Sequence, residues 1–194
     1  MTVSHCIQLL TFTLAGEVYA TNVESAREVL EFAHVTPLPK APPWMRGVLN
    51  LRGNVIPVLD MKQKLGMGPT ETTRDTCVLI LEIDFDGEST LVGMLADSVR
   101  EVIEVHPTEL EPPPRFGSRV STEYVKGVGR RHEQLYILLD IPKVFADHDL
   151  ELAQEAKTID FDVAPDAASP RELSLHDSAS EVTTDSIIGH EDAL

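Results

Sequence analysis

Cationic side chains are scarce in this sequence. Lys and Arg number 16 against 32 Asp and Glu over 194 residues, a formal net charge of −16. A phosphate backbone is held by clustered Lys and Arg, so nucleic acid is excluded as a partner class, and adhesion to an anionic membrane surface is disfavoured. No apolar run approaches the roughly 18 residues that cross a bilayer, so no membrane insertion is expected. The first residues, MTVSHCIQLLTFTLAG, lack the basic start and unbroken apolar core of a signal peptide. Cysteine is also scarce. Cys6 and Cys77 form no C-x-x-C pair and sit in strand-like contexts, which predicts buried free thiols in a reducing compartment.

The groups that carry chemistry are missing as well. There is no glycine-rich phosphate loop, no G-x-S-x-G elbow and no H-E-x-x-H pair. The histidines at 5, 34, 106, 132, 148, 176 and 190 are scattered, so no metal site is expected. The stretch DFDGE at 84–88 looks like part of a calcium loop but lacks the spaced oxygen ligands and the terminal Glu. It reads as a solvated hairpin turn. Neither cysteine has a histidine or helix N-terminus beside it to make a nucleophile. The chain is therefore expected to be no enzyme and to hold no cofactor. An alternative, a hydrolase on a β-barrel, would need bound metal or a cleft residue with a perturbed pKa.

Apolar residues make up 42% of the chain, enough for a real core. Period-2 patterning dominates. Leu10, Phe12 and Leu14 alternate with Thr11 and Thr13, and AGE turns the chain into Val18-Tyr19-Ala20. EFAHVTPLPKAPPWMRG, with four prolines, predicts an extended connector packed by Leu38 and Trp44. Further strand pairs are expected at 47–60, 77–83 with 90–96, and EYVKGVG with QLYILLD, with VREVIEV between. Pro57 inside its strand predicts an edge or a bulge. Short helical turns follow at MKQKLGM and at IPKVF, the second N-capped by Asp140. The total is nine or ten short strands with little helix. From about residue 151 the pattern fades. Residues 1–150 hold 14 basic and 21 acidic residues, whereas 151–194 hold 2 and 11. The reading is a folded unit over 1–150 and a disordered acidic tail over 151–194.

GVLNLRGNVIPVLD, residues 47–60, poses a question that turn chemistry does not answer. Gly53 and Asn54 suit a tight turn, but Arg52 places a permanent charge beside Leu51 in an otherwise apolar strand. Extended to PPWMRGVLNLRGNVIPVLDMKQKLG, the stretch resembles the signature of the CheW family, the coupling scaffolds of bacterial chemotaxis. YATNVESAREV, VGMLADSVREVIEV, EYVKGVG and LYILLDIPKVF follow the family's order, so the resemblance covers about residues 5–148.

The resemblance implies an all-β fold of two SH3-like five-stranded β-barrels sharing a hydrophobic seam. It implies no catalysis, and two partners: the regulatory domain of a CheA-type histidine kinase, and the helical hairpin tip of methyl-accepting chemotaxis receptors. Such a protein is cytoplasmic, at membrane-bound receptor arrays. A scaffold of a non-motility chemosensory pathway is the alternative within the same physics. Carried over by position, the receptor groove would include Val23, Ala26, Thr76, Cys77, Val99 and Val102, and the kinase-facing edge Gly53 and Val55. Ala26 stands where the family usually has a larger aliphatic and Leu30 where it often has a basic residue, which implies a shallower or differently shaped groove. For Arg52, the resemblance and its reach point to a carboxylate partner, Glu28, on the surface where partners dock. An exposed pair of this kind adds under about 1 kcal/mol of stability.

Overall fold

Alternating apolar and polar residues make strands, and the strands expected from that pattern are present. The computed structural model describes residues 6–32, 35–85, 87–113 and 122–145. The expected tail, 151–194, and the boundary at 150 lie outside the described residues. Among these there are ten strands: β1 (Ile7–Leu14), β2 (Glu17–Asn22), β3 (Ala26–Glu31), β4 (Met45–Leu51), β5 (Asn54–Asp60), β6 (Cys77–Phe85), β7 (Glu88–Ala96), β8 (Ser98–Val105), β9 (Val125–Arg131) and β10 (Gln134–Leu139). Two single-turn helices, α1 (Met61–Lys64) and α2 (Ile141–Val144), follow β5 and β10.

The strands form two five-stranded sheets. Sheet 1 has the order β3-β6-β7-β5-β4 and sheet 2 the order β8-β1-β2-β10-β9. In each, the successive pairings are antiparallel, antiparallel, parallel, antiparallel. The two orders become identical if β1 and β2 are placed after β10, so the N-terminal hairpin completes the sheet that the C-terminal strands begin. The fold is all-β with two sheets, as expected.

Each sheet is apolar on both faces, which explains why so many strands lack a clean polar face. One face of sheet 1 packs Leu30, Leu49, Ile56, Val58, Val78 and Ile80 into a core of its own. The matching face of sheet 2 packs Leu9, Val18, Ala20, Ile103, Tyr136 and Leu138. The remaining faces meet in a shared seam. Leu10, Phe12, Leu14 and Tyr19 from sheet 2 lie there against Leu59, Cys77, Leu79, Leu81 and Met94 from sheet 1. Both helices also feed the seam, through Met61 on one side and Ile141, Val144 and Phe145 on the other. Burying one such aliphatic side chain is worth about 1.5–3 kcal/mol, so the seam holds the sheets together.

Three expectations need correcting. Pro57 lies in neither an edge strand nor a bulge, because β5 runs between β7 and β4. Its partner Val48 turns both backbone groups outward to Thr36, so the missing N–H of Pro57 would face β7, where the ladder begins only at Val58. Cys6 is exposed, not buried; only Cys77 is in the core. Asp140 does occupy the N-cap position of α2, but its carboxylate accepts from no backbone N–H of the helix and pairs with the Lys143 side chain at 2.9 Å. The cap function is performed at α1, where buried Asp60 accepts from the Gln63 N–H at 3.2 Å.

Candidate functional site

The turn of the β4–β5 hairpin is Arg52-Gly53, not Gly53-Asn54. Both residues have positive φ, 52° and 88°, and Leu51 pairs with Asn54 on either side of them. This is the two-residue connection whose twist suits a hairpin. Asn50 Oδ1 accepts from the Gly53 N–H at 2.9 Å and fixes the turn. Arg52 is therefore the first turn residue, and its side chain leaves the strand altogether.

The side chain reaches across to β3. Arg52 Nη1 donates to Glu28 Oε1 at 2.5 Å and Nη2 to Oε2 at 3.3 Å, a two-pronged pair. The Glu28 side chain is 16% exposed and that of Arg52 70% exposed. The half-buried partner is thus the carboxylate, and the arginine offsets its desolvation. Because β3 and β4 are the first and last strands of sheet 1, this pair ties one end of the sheet's order to the other. Sheet 2 carries an analogous link, Arg100 Nη1 on β8 to Gln134 Oε1 at the start of β10, at 3.3 Å.

Ala26 lies two residues before Glu28 on the same strand, so β3 joins the hairpin to the expected groove. Val23, Ala26 and Val99 are half-buried and pack against the shared seam, which includes Cys77. Thr76 and Cys77 are 2% and 0% exposed, so they underlie this surface and do not face solvent. The Thr76 hydroxyl accepts from the Thr73 N–H at 2.8 Å, and its carbonyl accepts from the Phe32 N–H at 3.1 Å. Burial pushes the Cys77 thiol up to about 12, with the nearby Asp97 charge adding to the effect and the Val99 N–H opposing it. It is a small hydrophobe there. Val102 is 38% exposed on β8, outside the seam. Val55 is half-buried beside the turn, and Gly53 has open space around it.

Sequence reading missed a second polar cluster in the same region. Asp97 lies between β7 of sheet 1 and β8 of sheet 2, with its Oδ1 facing Lys62 Nζ on α1 at 3.3 Å. Its Oδ2 accepts from the Ala15 N–H in the β1–β2 turn at 2.7 Å. It missed an internal repeat too. Residues 45–60 and 125–140 align without a gap, sharing Gly47/Gly127, Val48/Val128, Leu59/Leu139 and Asp60/Asp140. That signal was available as R-G-V…L-D against K-G-V…L-D.

Among the described residues, no three His, Cys, Asp or Glu side chains are grouped to hold a metal, and no helix is long and apolar enough to cross a membrane. What the region offers is surface: a hairpin with a fixed charge pair and an apolar strip beside it.

Comparison with known proteins gives one consistent result. The CheW-like domain family matches residues 8–149. The chemotaxis protein CheW of Klebsiella aerogenes is 29% identical over 145 residues, 75% of this chain and 85% of the relative. CheW of Bacillus subtilis is 27% identical over 149 residues, 77% of this chain and 91% of the relative. Among solved structures, the scaffolding protein TtCheW from Thermoanaerobacter tengcongensis superposes with a TM-score of 0.67 at 29% identity, covering 75% of this chain and 91% of that one.

Proposed function

We propose, because the chain belongs to the CheW-like domain family, that it is a non-enzymatic adaptor of bacterial chemosensory signalling. It couples the cytoplasmic tips of methyl-accepting receptors to a CheA-type histidine kinase and works at receptor arrays. The β4–β5 hairpin, with Arg52, Gly53 and Val55 beside Glu28, faces the kinase's regulatory domain. The strip from Val23 and Ala26 to Val99 and Val102 receives the helical hairpin of the receptor, with Thr76 and Cys77 beneath it.

The observation that best supports this reading is the Glu28–Arg52 pair. A carboxylate that is four-fifths covered by the protein is held by an arginine left mostly in water. Such a pair adds little stability. It does present a rigid, charged turn with defined donors, which suits recognition of another folded domain.

The test uses three purified components: this chain, the regulatory domain of its cognate kinase and a receptor tip fragment. The chain is expected to retain both partners at micromolar concentration. Arg52→Ala should weaken the kinase arm alone, and Val102→Asp, at the exposed end of the strip, the receptor arm alone. Retention of neither partner by the unaltered chain would sink the proposal.

A further inference from the structure

The apolar seam is built from contacts that have no preferred direction of their own. Directional contacts add a constraint on the angle between the sheets, and Asp97 supplies three. Its carboxylate is bonded by Lys62 of α1, the helix that directly follows β5 of sheet 1, and by the Ala15 N–H in the β1–β2 turn of sheet 2, and its own N–H donates to the Thr13 carbonyl of β1 at 3.0 Å. The ion pair is sheltered, with the Lys62 side chain 14% and the Asp97 side chain 26% exposed. Ala15 sits at φ 52°, so its N–H is aimed by a turn with little freedom.

The position of this cluster gives it a consequence. Ala96 pairs with Cys77 across β6–β7, and Val99 pairs with Phe12 across β1–β8. Asp97 therefore stands between the part of the apolar strip that belongs to sheet 1 and the part that belongs to sheet 2. We propose that Asp97 is a positioning residue that sets the angle between the two sheets, and through it the width of the groove that takes the receptor. The second half of this inference rests on the function proposed above; the first half stands on the geometry alone.

Two variants remove the ion pair, one from each side, and leave the two backbone contacts of Asp97 in place. Asp97→Asn keeps an oxygen for the Ala15 N–H and loses the ion pair. Lys62→Met loses the same pair from the other side. Spin labels at Glu31→Cys on sheet 1 and Lys126→Cys on sheet 2, in a Cys6→Ser chain with Cys77 buried, report the inter-sheet distance. Both variants are expected to broaden or shift that distribution. An unchanged distribution overturns the inference whether or not any partner binds. In parallel, each variant is expected to bind the receptor fragment about tenfold more weakly, a change within the range of long-range coupling, with kinase-domain affinity unchanged. Equal losses for both partners would mean general support of the fold and would overturn it. An unaltered chain that binds no receptor fragment counts against the proposed function instead, and the label distances then decide the matter of Asp97.

Discussion

The hairpins β4–β5 and β9–β10 hold the same place in their sheets, and their backbones agree in detail while their fillings differ. Val48 exchanges backbone hydrogen bonds with Thr36 at 2.8 and 2.9 Å, as Val128 does with Glu111 at 2.8 and 2.9 Å. The Asp60 N–H donates to the Trp44 carbonyl at 2.8 Å and that of Asp140 to Tyr124 at 2.9 Å. Across the ladder, however, Leu49 faces Ile56 in one hairpin and Gly129 faces Tyr136 in the other. Two mid-sized side chains have been exchanged for none and one large ring. The turns differ as well: Arg52-Gly53 against His132-Glu133, all four with positive φ. One backbone thus tolerates two packings, provided the volume is conserved across the pair.

The largest expected effect tests the shared glycine. An added Cβ at Gly47, where φ is +145°, would overlap the Thr36 carbonyl, whereas at Gly127 it would lie 3.2 Å from the Glu111 oxygen. Gly47→Ala should cost about 4 kcal/mol or prevent folding, and Gly127→Ala about 1 kcal/mol. Urea titration measures both, and equal costs would show that the two connectors crossing these strands are not held alike. Next comes the exchanged pair. Gly129→Leu collides with the buried Tyr136 ring and should cost about 2–3 kcal/mol. Adding Tyr136→Ile, which recreates the filling of the other hairpin, should recover more than half of that loss, a coupling measurable by a double-mutant cycle.

The comparison also shows what sequence could and could not disclose. Strands and hairpins were readable, because alternation and turn residues are local. The sheet order was not, since the pairings β5–β7 and β2–β10 are parallel and β1 joins β8 past six intervening strands. The repeat was hidden by its own compensations: Leu49/Ile56 and Gly129/Tyr136 look unrelated until their register is known. Pro57 misled because strand position was read without knowing which neighbour its N–H would face. At the candidate site, the partnership of Glu28 and Arg52 came from family resemblance, while Asp97 gave no signal, its partners lying 35 and 82 residues away.

A third difference lies at Cys77, which sits against Glu31 on β3 as Gln8 sits against Glu104 on β8. The buried thiol is held up to about 12, so in the folded state it stays neutral where an unfolded thiol ionises. A raised pKa of this kind contributes stability fully below the unfolded value of about 8.5 and loses it progressively above. Stability at pH 10 should therefore fall by about 1–2 kcal/mol relative to pH 8, and Cys77→Ala should remove that part of the slope. An unchanged slope in the variant would assign the loss to other groups, including the buried Tyr19, whose hydroxyl is also raised by burial and by Glu17.

The turns predict smaller changes of opposite sign. Gly53 has nothing within 4 Å of an added Cβ, so Gly53→Ala meets only the cost of the left-handed backbone, about 1 kcal/mol. His132-Glu133 already bears that cost at φ 46° and 63°. Glu133→Gly should accordingly stabilise the chain by up to about 1 kcal/mol, read as a rise in unfolding temperature. A loss in place of that gain would show that the Glu133 side chain contributes more than its backbone costs.

The smallest difference separates the two links that tie each sheet's first strand to its terminal hairpin. Glu28–Arg52 joins two charges, whereas Arg100–Gln134 joins a charge to a neutral amide. Arg52 is mostly exposed, so Arg52→Ala should cost under about 1 kcal/mol at low salt, and less in 1 M NaCl, where the screening length shrinks to about 3 Å. Arg100→Ala lacks that ion-pair contribution, so its cost should change little with salt. Parallel denaturation curves at both ionic strengths make the comparison. If Arg52→Ala were as costly in 1 M salt as in dilute buffer, the pair would be acting through its geometry and not its charge. The half-buried Glu28 would then be held chiefly by the two-pronged hydrogen bond. In that case Arg52→Lys, which keeps the charge and loses the fork, should be as damaging as Arg52→Ala.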